Sequence, residues 1–403
     1  MGTAGRYLGS AVLTVALGLS PALGYATTFV LLGLAAISWL WQGPLARRFA
    51  ATSPPEGGVS PRLGVGAFPA LLFGLSYLLI AVSALTTVRT PADLVPLLGL
   101  AAPLFYAPLA RLVGGADLAR YAIAGAIIGL ATALLYRYGL GMPRAAEGSW
   151  LTDPYRLAVT TLLAATLGLG AWFSQHRWRG LSLFALAAGV AVIALSGSRT
   201  ALLGLPVLML ITGLCLARRP LARIAVIAAA VAVIVAALFV ELPGTERVRL
   251  WNILVAIGSG SPVSDSAIDI RLGLYRAAAE LFVSSPLLGH GWGEATMPQV
   301  WALLTPAQLS WGRLPHLHSD IAQFAVSGGL FGIMAWLLLV LAPIAGYLRL
   351  PDNARTPQRR HALLVLVVGA LVLGLPDTFL AAPMTLTIYV VLAAAVVGRS
   401  PRP

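Results

Sequence analysis

Residues 319–348 read SDIAQFAVSGGLFGIMAWLLLVLAPIAGYL, with a single charge, Asp320, near the start. A helix crosses the roughly 30 Å hydrocarbon core of a bilayer with about 20 apolar residues, so this run is long enough to span and too apolar for a water-facing helix. Working outward, further apolar runs lie at roughly 7–24, 26–42, 66–88, 94–112, 117–136, 156–173, 180–196, 200–217, 222–241, 361–376 and 383–398. Composition agrees: 59% of the 403 residues are hydrophobic, mean hydropathy is +0.87 and charged residues make up 10%. A soluble domain carries about 25% charged residues, so a water-soluble single fold is excluded. The expected fold is all-α, a polytopic membrane protein with about 12 transmembrane helices. The first run, with Arg6 before it and ALGYA at its end, superficially resembles a signal peptide. A second run follows at once, so the first is read as a retained helix.

The net charge of +13 comes from 27 basic and 14 acidic residues, and every basic one is arginine. Arginine suits phosphate because it offers two parallel hydrogen bonds, although a GC-rich coding bias explains its exclusive use as well. The arginines are scattered between apolar runs rather than grouped on a polar face, which excludes a nucleic-acid partner. With alternate loops on opposite sides and the N-terminus inside, 17 of the 27 arginines and 3 of the 14 acids fall inside. That partition of +14 against −1 places both termini in the cytoplasm by the positive-inside rule. Cys215 is the lone cysteine, so no intrachain disulfide can form.

Residues 242–318 form a polar loop on the outer face, and a loop that long is usually functional. The chain therefore divides into 1–241 with helices 1–9, the loop 242–318, and 319–403 with helices 10–12. Inside the loop, Leu272, Tyr275, Ala279 and Phe282 recur at helical spacing, with Arg276 and Glu280 on another face, and Pro286 and Gly289 end the pattern. The spacing predicts an amphipathic helix lying on the membrane surface or capping the bundle.

His316 and His318 close the loop just before the tenth span, and histidine is the natural general base near neutral pH. Ser319 or Asp320 could simply cap the helix that follows. A zinc site lacks further ligands, since the pair adjoins neither a cysteine nor a His-Glu-x-x-His element. Arg199, in Ser196-Gly197-Ser198-Arg199-Thr200, sits at the outer end of two spans, where a guanidinium in lipid would cost about 3 kcal/mol. Arg271 opens the amphipathic helix, and Asp377 follows Pro376 at the outer end of the eleventh span, placed to orient a histidine or pair with an arginine. Gly289-His290-Gly291-Trp292-Gly293 weakly suggests a phosphate cradle, though it has no preceding strand and no P-loop lysine. Gly328 and Gly332 form a GxxxG pair suited to helix packing.

Taken in order, Ser-Gly-Ser-Arg-Thr at 196–200, Arg271 with Tyr275, Ser-Pro-Leu-Leu-Gly-His-Gly-Trp-Gly at 285–293, His-Leu-His-Ser-Asp at 316–320 and Gly-Gly-Leu-Phe-Gly at 328–332 resemble the O-antigen ligase and polymerase superfamily of bacterial inner membranes. The resemblance covers about 190–335, with Asp377 beyond it. Ser319 stands where the family usually has asparagine. The resemblance implies glycosyl transfer on the periplasmic face, from an undecaprenyl-diphosphate-linked glycan to the lipid A-core sugar, with no cofactor and no metal. Arg199 and Arg271 would meet the diphosphate. His318 would be the base with His316 as its competitor, supported by Asp377, Ser198 and Tyr275, and the attack would invert the anomeric centre. Length favours the ligase over a polymerase or a protein O-oligosaccharyltransferase of the same superfamily. A 12-helix secondary transporter and a hydrolase built on Ser198 are the readings from other classes.

Overall fold

Proline and glycine decide where the apolar runs bend in the computed structural model, which describes residues 3–42, 67–88, 90–174, 176–239, 266–310 and 312–398. Among the described residues every regular element is helical. The chain enters through α1 (Thr3–Leu13), a wide turn over Thr14–Leu19 and α2 (Ser20–Leu23), then reverses at Gly24 into α3 (Ala26–Gln42). Next come α4 (Ala67–Thr87), α5 (Val95–Gly99), α6 (Tyr106–Val113), α7 (Ala119–Leu134) and α8 (Pro154–Gly168). A tight turn joins α9 (Arg179–Ser196) to α10 (Arg199–Leu216), and α11 (Pro220–Phe239) follows. The remainder comprises α12 (Ser266–Ser284), α13 (Met297–Ala302), α14 (Asp320–Leu348), α15 (Pro357–Gly374) and α16 (Pro383–Val397).

Among the described residues, seven segments are long and apolar enough to cross a membrane, and four apolar helices are shorter. The run at 94–112 is not one straight helix. Pro96, Pro103 and Pro108 each remove a backbone donor, and the segment folds as two α-helices around a 3₁₀ turn at Ala102–Phe105. Of the loop expected at 242–318, residues 242–265 lie outside the described residues.

The interior belongs to α8 and α16, the two helices with almost no exposed residues. Threonine is tolerated there because its hydroxyl bonds to its own helix: Thr160 to Arg156 O, Thr161 to Leu157 O and Thr166 to Leu162 O, each at 2.7 Å. Tyr389 of α16 donates to Leu339 O of α14 at 3.0 Å, so its buried hydroxyl also finds a partner.

The expected span at 319–348 is interrupted. Gly329 has φ 57 and ψ −143, and α14 kinks there. The backbone groups released are met by residues 286–291: His290 N donates to Val326 O (2.8 Å), Gly291 N to Ser327 O (3.0 Å), Leu330 N to Pro286 O (2.7 Å) and Phe331 N to Leu287 O (3.3 Å). An added Cβ on Gly289, itself at φ +70, would sit 2.6 Å from backbone atoms of Ser327, Gly328 and Gly329. Glycine is therefore required on both sides of the junction. Residues 286–291 thus complement a broken helix, and the His290 and Gly291 amides that a phosphate cradle would offer are spent on Val326 O and Ser327 O. The GxxxG pair serves the same junction: Gly332 lies against Phe324 O across the kink, and only Gly328 faces another span, at Ser83. Beyond the break, Leu330 to Leu348 covers about 28 Å at about 1.5 Å per residue, close to one bilayer core.

The amphipathic helix exists as α12, but its buried face is Ile270, Leu274, Ala277, Ala278 and Leu281. The expected stripe is displaced: Ala279 is exposed, and Leu272, Tyr275 and Phe282 are half-buried. Partners decide this, because Met297, Val300, Leu304, Leu317 and Val326 form a small apolar core that takes the other side of the helix. Arg276 and Glu280 are both exposed. The helix packs against α13 and the start of α14.

Candidate functional site

His316 and His318 lie just before α14, Asp377 just after α15, and the fold brings the three together. His318 Nδ1 is 3.4 Å from Asp377 Oδ1, His316 Nδ1 is 3.9 Å from the same oxygen, and the two rings sit edge to face at 4.2 Å. His318 holds a left-handed backbone (φ 50), which is costly for a side chain of this shape. Tyr275 of α12 fixes it by donating its hydroxyl to His318 O at 2.8 Å. With Nδ1 turned to a carboxylate, the proton belongs on Nδ1, and Nε2 keeps the lone pair a base needs. Apo distances of this length are usual for pairs that tighten on substrate.

The loop carrying Asp377 is held by a residue that the sequence offered only as a helix cap. Ser319 supplies the cap, accepting from Ala322 N at 3.5 Å. Asp320, 1% exposed, turns away and accepts from Phe379 N (2.8 Å), Leu380 N (2.8 Å) and Ala381 N (2.9 Å). Asp377 is buried and takes the Thr378 amide at 2.8 Å. Burial alone would raise its pKa, but the two histidines and that amide hold the carboxyl below the usual range. Burial, reinforced by the neighbouring His318, pushes His316 down to about 3 and keeps that ring neutral. Burial likewise raises Tyr275, which stays a hydroxyl donor.

Asp377 also borders a cavity of about 870 Å³, whose wall includes Arg199, Arg271, Arg137, Arg144 and Ser198. That volume lies within the roughly 300–1,000 Å³ typical of ligand pockets. Arg199 is the first residue of α10, placed there because Gly197 (φ 61) ends α9 and Ser198 caps α10 through Ala201 N at 3.4 Å. Ser198 is thus a cap that also borders the cavity. Arg144 buttresses the turn, donating to Ser196 O at 2.8 Å and Gly197 O at 3.2 Å.

A second charged group reaches the Asp377 loop that the sequence reading missed. Asp153 caps α8 through Arg156 N at 2.8 Å, while its other oxygen accepts from Arg156 Nη1 at 2.5 Å and from Tyr25 at 2.6 Å. Arg156, 6% exposed, extends Nη2 to Thr378 Oγ1 at 3.5 Å. Burial opposes ionisation of Asp153, yet Arg156 and Tyr25 hold its pKa below the ordinary value. Burial raises Tyr25 above its ordinary value. The signal was present as an aspartate before a proline, opening a helix that then places an arginine in an apolar run.

Asp377 supplies the third ligand atom that the sequence showed no sign of near the two histidines. One ligand atom each from His316, His318 and Asp377 lie within 4.8 Å of one another. Three protein ligands are what a catalytic zinc uses, although ligands about 2.0–2.1 Å from zinc sit roughly 3.4 Å apart, so the set would have to contract.

Residues 183–337 match the family model described as O-antigen ligase. The match runs from α9 into α14 and takes in Arg199, Arg271, Tyr275, His316 and His318, ending before Asp377. No curated protein matches the chain.

Proposed function

We propose that the chain, whose residues 183–337 match the O-antigen ligase family model, is a multi-helix membrane protein of the O-antigen ligase and polymerase superfamily and acts as an O-antigen ligase. On this reading it moves a glycan from undecaprenyl diphosphate to the lipid A-core sugar on the periplasmic face of the inner membrane. The observation that carries the proposal is the His318–Asp377 pair at 3.4 Å beside a cavity walled by arginines.

His318 Nε2 takes the proton of the acceptor hydroxyl, and the imidazolium formed is met by Asp377. The hydroxyl oxygen bonds to the anomeric carbon as the bond from that carbon to the diphosphate breaks, with inversion. The leaving diphosphate gains charge, and Arg199 and Arg271 neutralise it from the cavity wall without a metal ion. His316, held neutral, leaves the single proton to His318.

The test is glycan transfer by purified protein from lipid-linked donor to lipid A-core, with and without EDTA. A general base supplies about 10²- to 10⁴-fold, so His318→Ala should lose that much while still binding donor, and His316→Ala should lose less. Full activity of His318→Ala refutes the assignment of the base, and loss on chelation gives the His316–His318–Asp377 cluster to a metal. Elongation of a second lipid-linked glycan in place of lipid A-core assigns the chain to the polymerases.

A further inference from the structure

A second cavity of about 640 Å³ lies at the far end of the bundle from the histidines. Its position follows from two helices. Asp153, Pro154 and Tyr155 at the start of α8 border the first cavity, while Leu167 and Gly170 border the second. Along α15, Pro357 begins at the second cavity and Gly374 ends at the Asp320–Asp377 loop, about 27 Å away at about 1.5 Å per residue. Nothing in the transfer reaction uses this end.

Its wall holds buried nitrogen without a partner. His361 is completely buried, its Nε2 lies 3.0 Å from Thr212 Oγ1, and its Nδ1 has no hydrogen-bond partner. Nδ1 lies beside Gly170 on the cavity wall, and the tautomer in which the Thr212 hydroxyl donates to Nε2 carries the ring proton there. Arg359 also lines the cavity, and its buried Nη1 has no hydrogen-bond partner either. Both residues stand in the first turns of α15, the positive end of its helix dipole, where Thr356 caps Arg359 N at 3.2 Å. The wall also contains a carboxylate, Asp117, which accepts from Ala119 N at 3.0 Å and Gln358 Nε2 at 2.8 Å. From 349 to 361 the chain adds Arg349, Arg355, Arg359 and Arg360 against Asp352 alone, so the local field favours an anion.

We propose that this cavity binds a phosphate group, carried by the headgroup of an anionic phospholipid in the leaflet opposite the transfer site. Phosphate offers the acceptor oxygens that Arg359 Nη1 and His361 Nδ1 lack, and the volume admits a glycerol-sized headgroup. Leu118, Leu167 and Val396 supply the apolar part of the wall that acyl-chain roots would meet.

The test uses the full chain in nanodiscs of phosphatidylcholine alone or with phosphatidylglycerol, read by native mass spectrometry and thermal melting. Phosphatidylglycerol should be retained through delipidation and should raise the melting temperature. Losing one charge-assisted contact is worth roughly a factor of ten or more, so Arg359→Gln should cut retention about tenfold. Arg360→Gln, the same charge change at an exposed neighbour outside the wall, should not. Asn353→Trp, which narrows the mouth and keeps every charge, should also reduce retention, covering the case in which Arg359→Gln misfolds. Inorganic phosphate in detergent, without phospholipid, distinguishes the source: an Arg359-dependent rise there assigns the cavity to free phosphate. No shift with either probe, or equal losses in Arg359→Gln and Arg360→Gln, overturns the site.

Discussion

Asp320→Asn should loosen the Asp377 loop without touching any group that reaches substrate. In the wild type Oδ1 accepts from Phe379 N and Ala381 N, and Oδ2 accepts from Leu380 N. An asparagine oriented to keep the first two turns its NH₂ against the Leu380 amide. One buried donor is then unmet, at about 1–3 kcal/mol. The two surviving bonds lose their charge, which about halves them and removes roughly 1 kcal/mol more. The total is about 2–4 kcal/mol, localised at residues 379–381. Gly374→Ala should copy the effect from the other side, because an added Cβ would lie 2.1 Å from Asp320 Oδ2. Thermal unfolding in nanodiscs and glycan transfer, measured together, check this. A melting temperature lowered by several degrees, with turnover falling further than donor affinity, is expected of both variants. An Asn variant with wild-type stability and turnover would show that the loop is held by something other than Asp320.

Replacing Arg199 or Arg271 by lysine should weaken donor binding about as much as alanine does, since lysine lacks the planar fork; unchanged donor affinity in both alanine variants would end the clamp hypothesis. Asp153 has a depressed pKa, so its stabilisation is complete above the ordinary carboxylate value near 3.9 and is lost as pH falls through its lower folded value. The stability gap between wild type and Asp153→Asn should therefore be widest at neutral pH and close below about pH 4; a gap independent of pH would deny the ion pair with Arg156. A cysteine at Glu147, on the wall of the transfer cavity, should react with an impermeant thiol reagent in intact spheroplasts once Cys215 is replaced. One at Asn353, at the opposite cavity, should react only after lysis, and the reverse pattern would invert the topology and remove the periplasmic site.

The apolar runs were legible because a bilayer leaves few alternatives, and each became helix over most of its length. The candidate site was legible where its residues lie close in sequence, as at 196–200 and 316–320. It was not legible where a side chain serves distant backbone. Asp320 looks like a cap for its own helix, and no local pattern reveals that its oxygens go to Phe379, Leu380 and Ala381. Arg156 was passed over for the same reason, its partners being Tyr25 and Thr378 as well as nearby Asp153. The buried face of α12 lies about one residue from the expected stripe, because Leu272–Phe282 and Ile270–Leu281 are both apolar stripes, and only Met297, Val300 and Leu317 select between them.

The interruption of α14 has a consequence for how the chain is made. A continuous helix can enter the bilayer alone, since it meets its own hydrogen bonds. Around Gly329 the helix cannot, because Val326, Ser327, Leu330 and Phe331 all depend on residues 286–291. That complement is synthesised first, so it is already outside the ribosome when the break emerges. Moving the 286–291 segment downstream of α14 by circular permutation would therefore delay insertion even if the finished fold were unchanged.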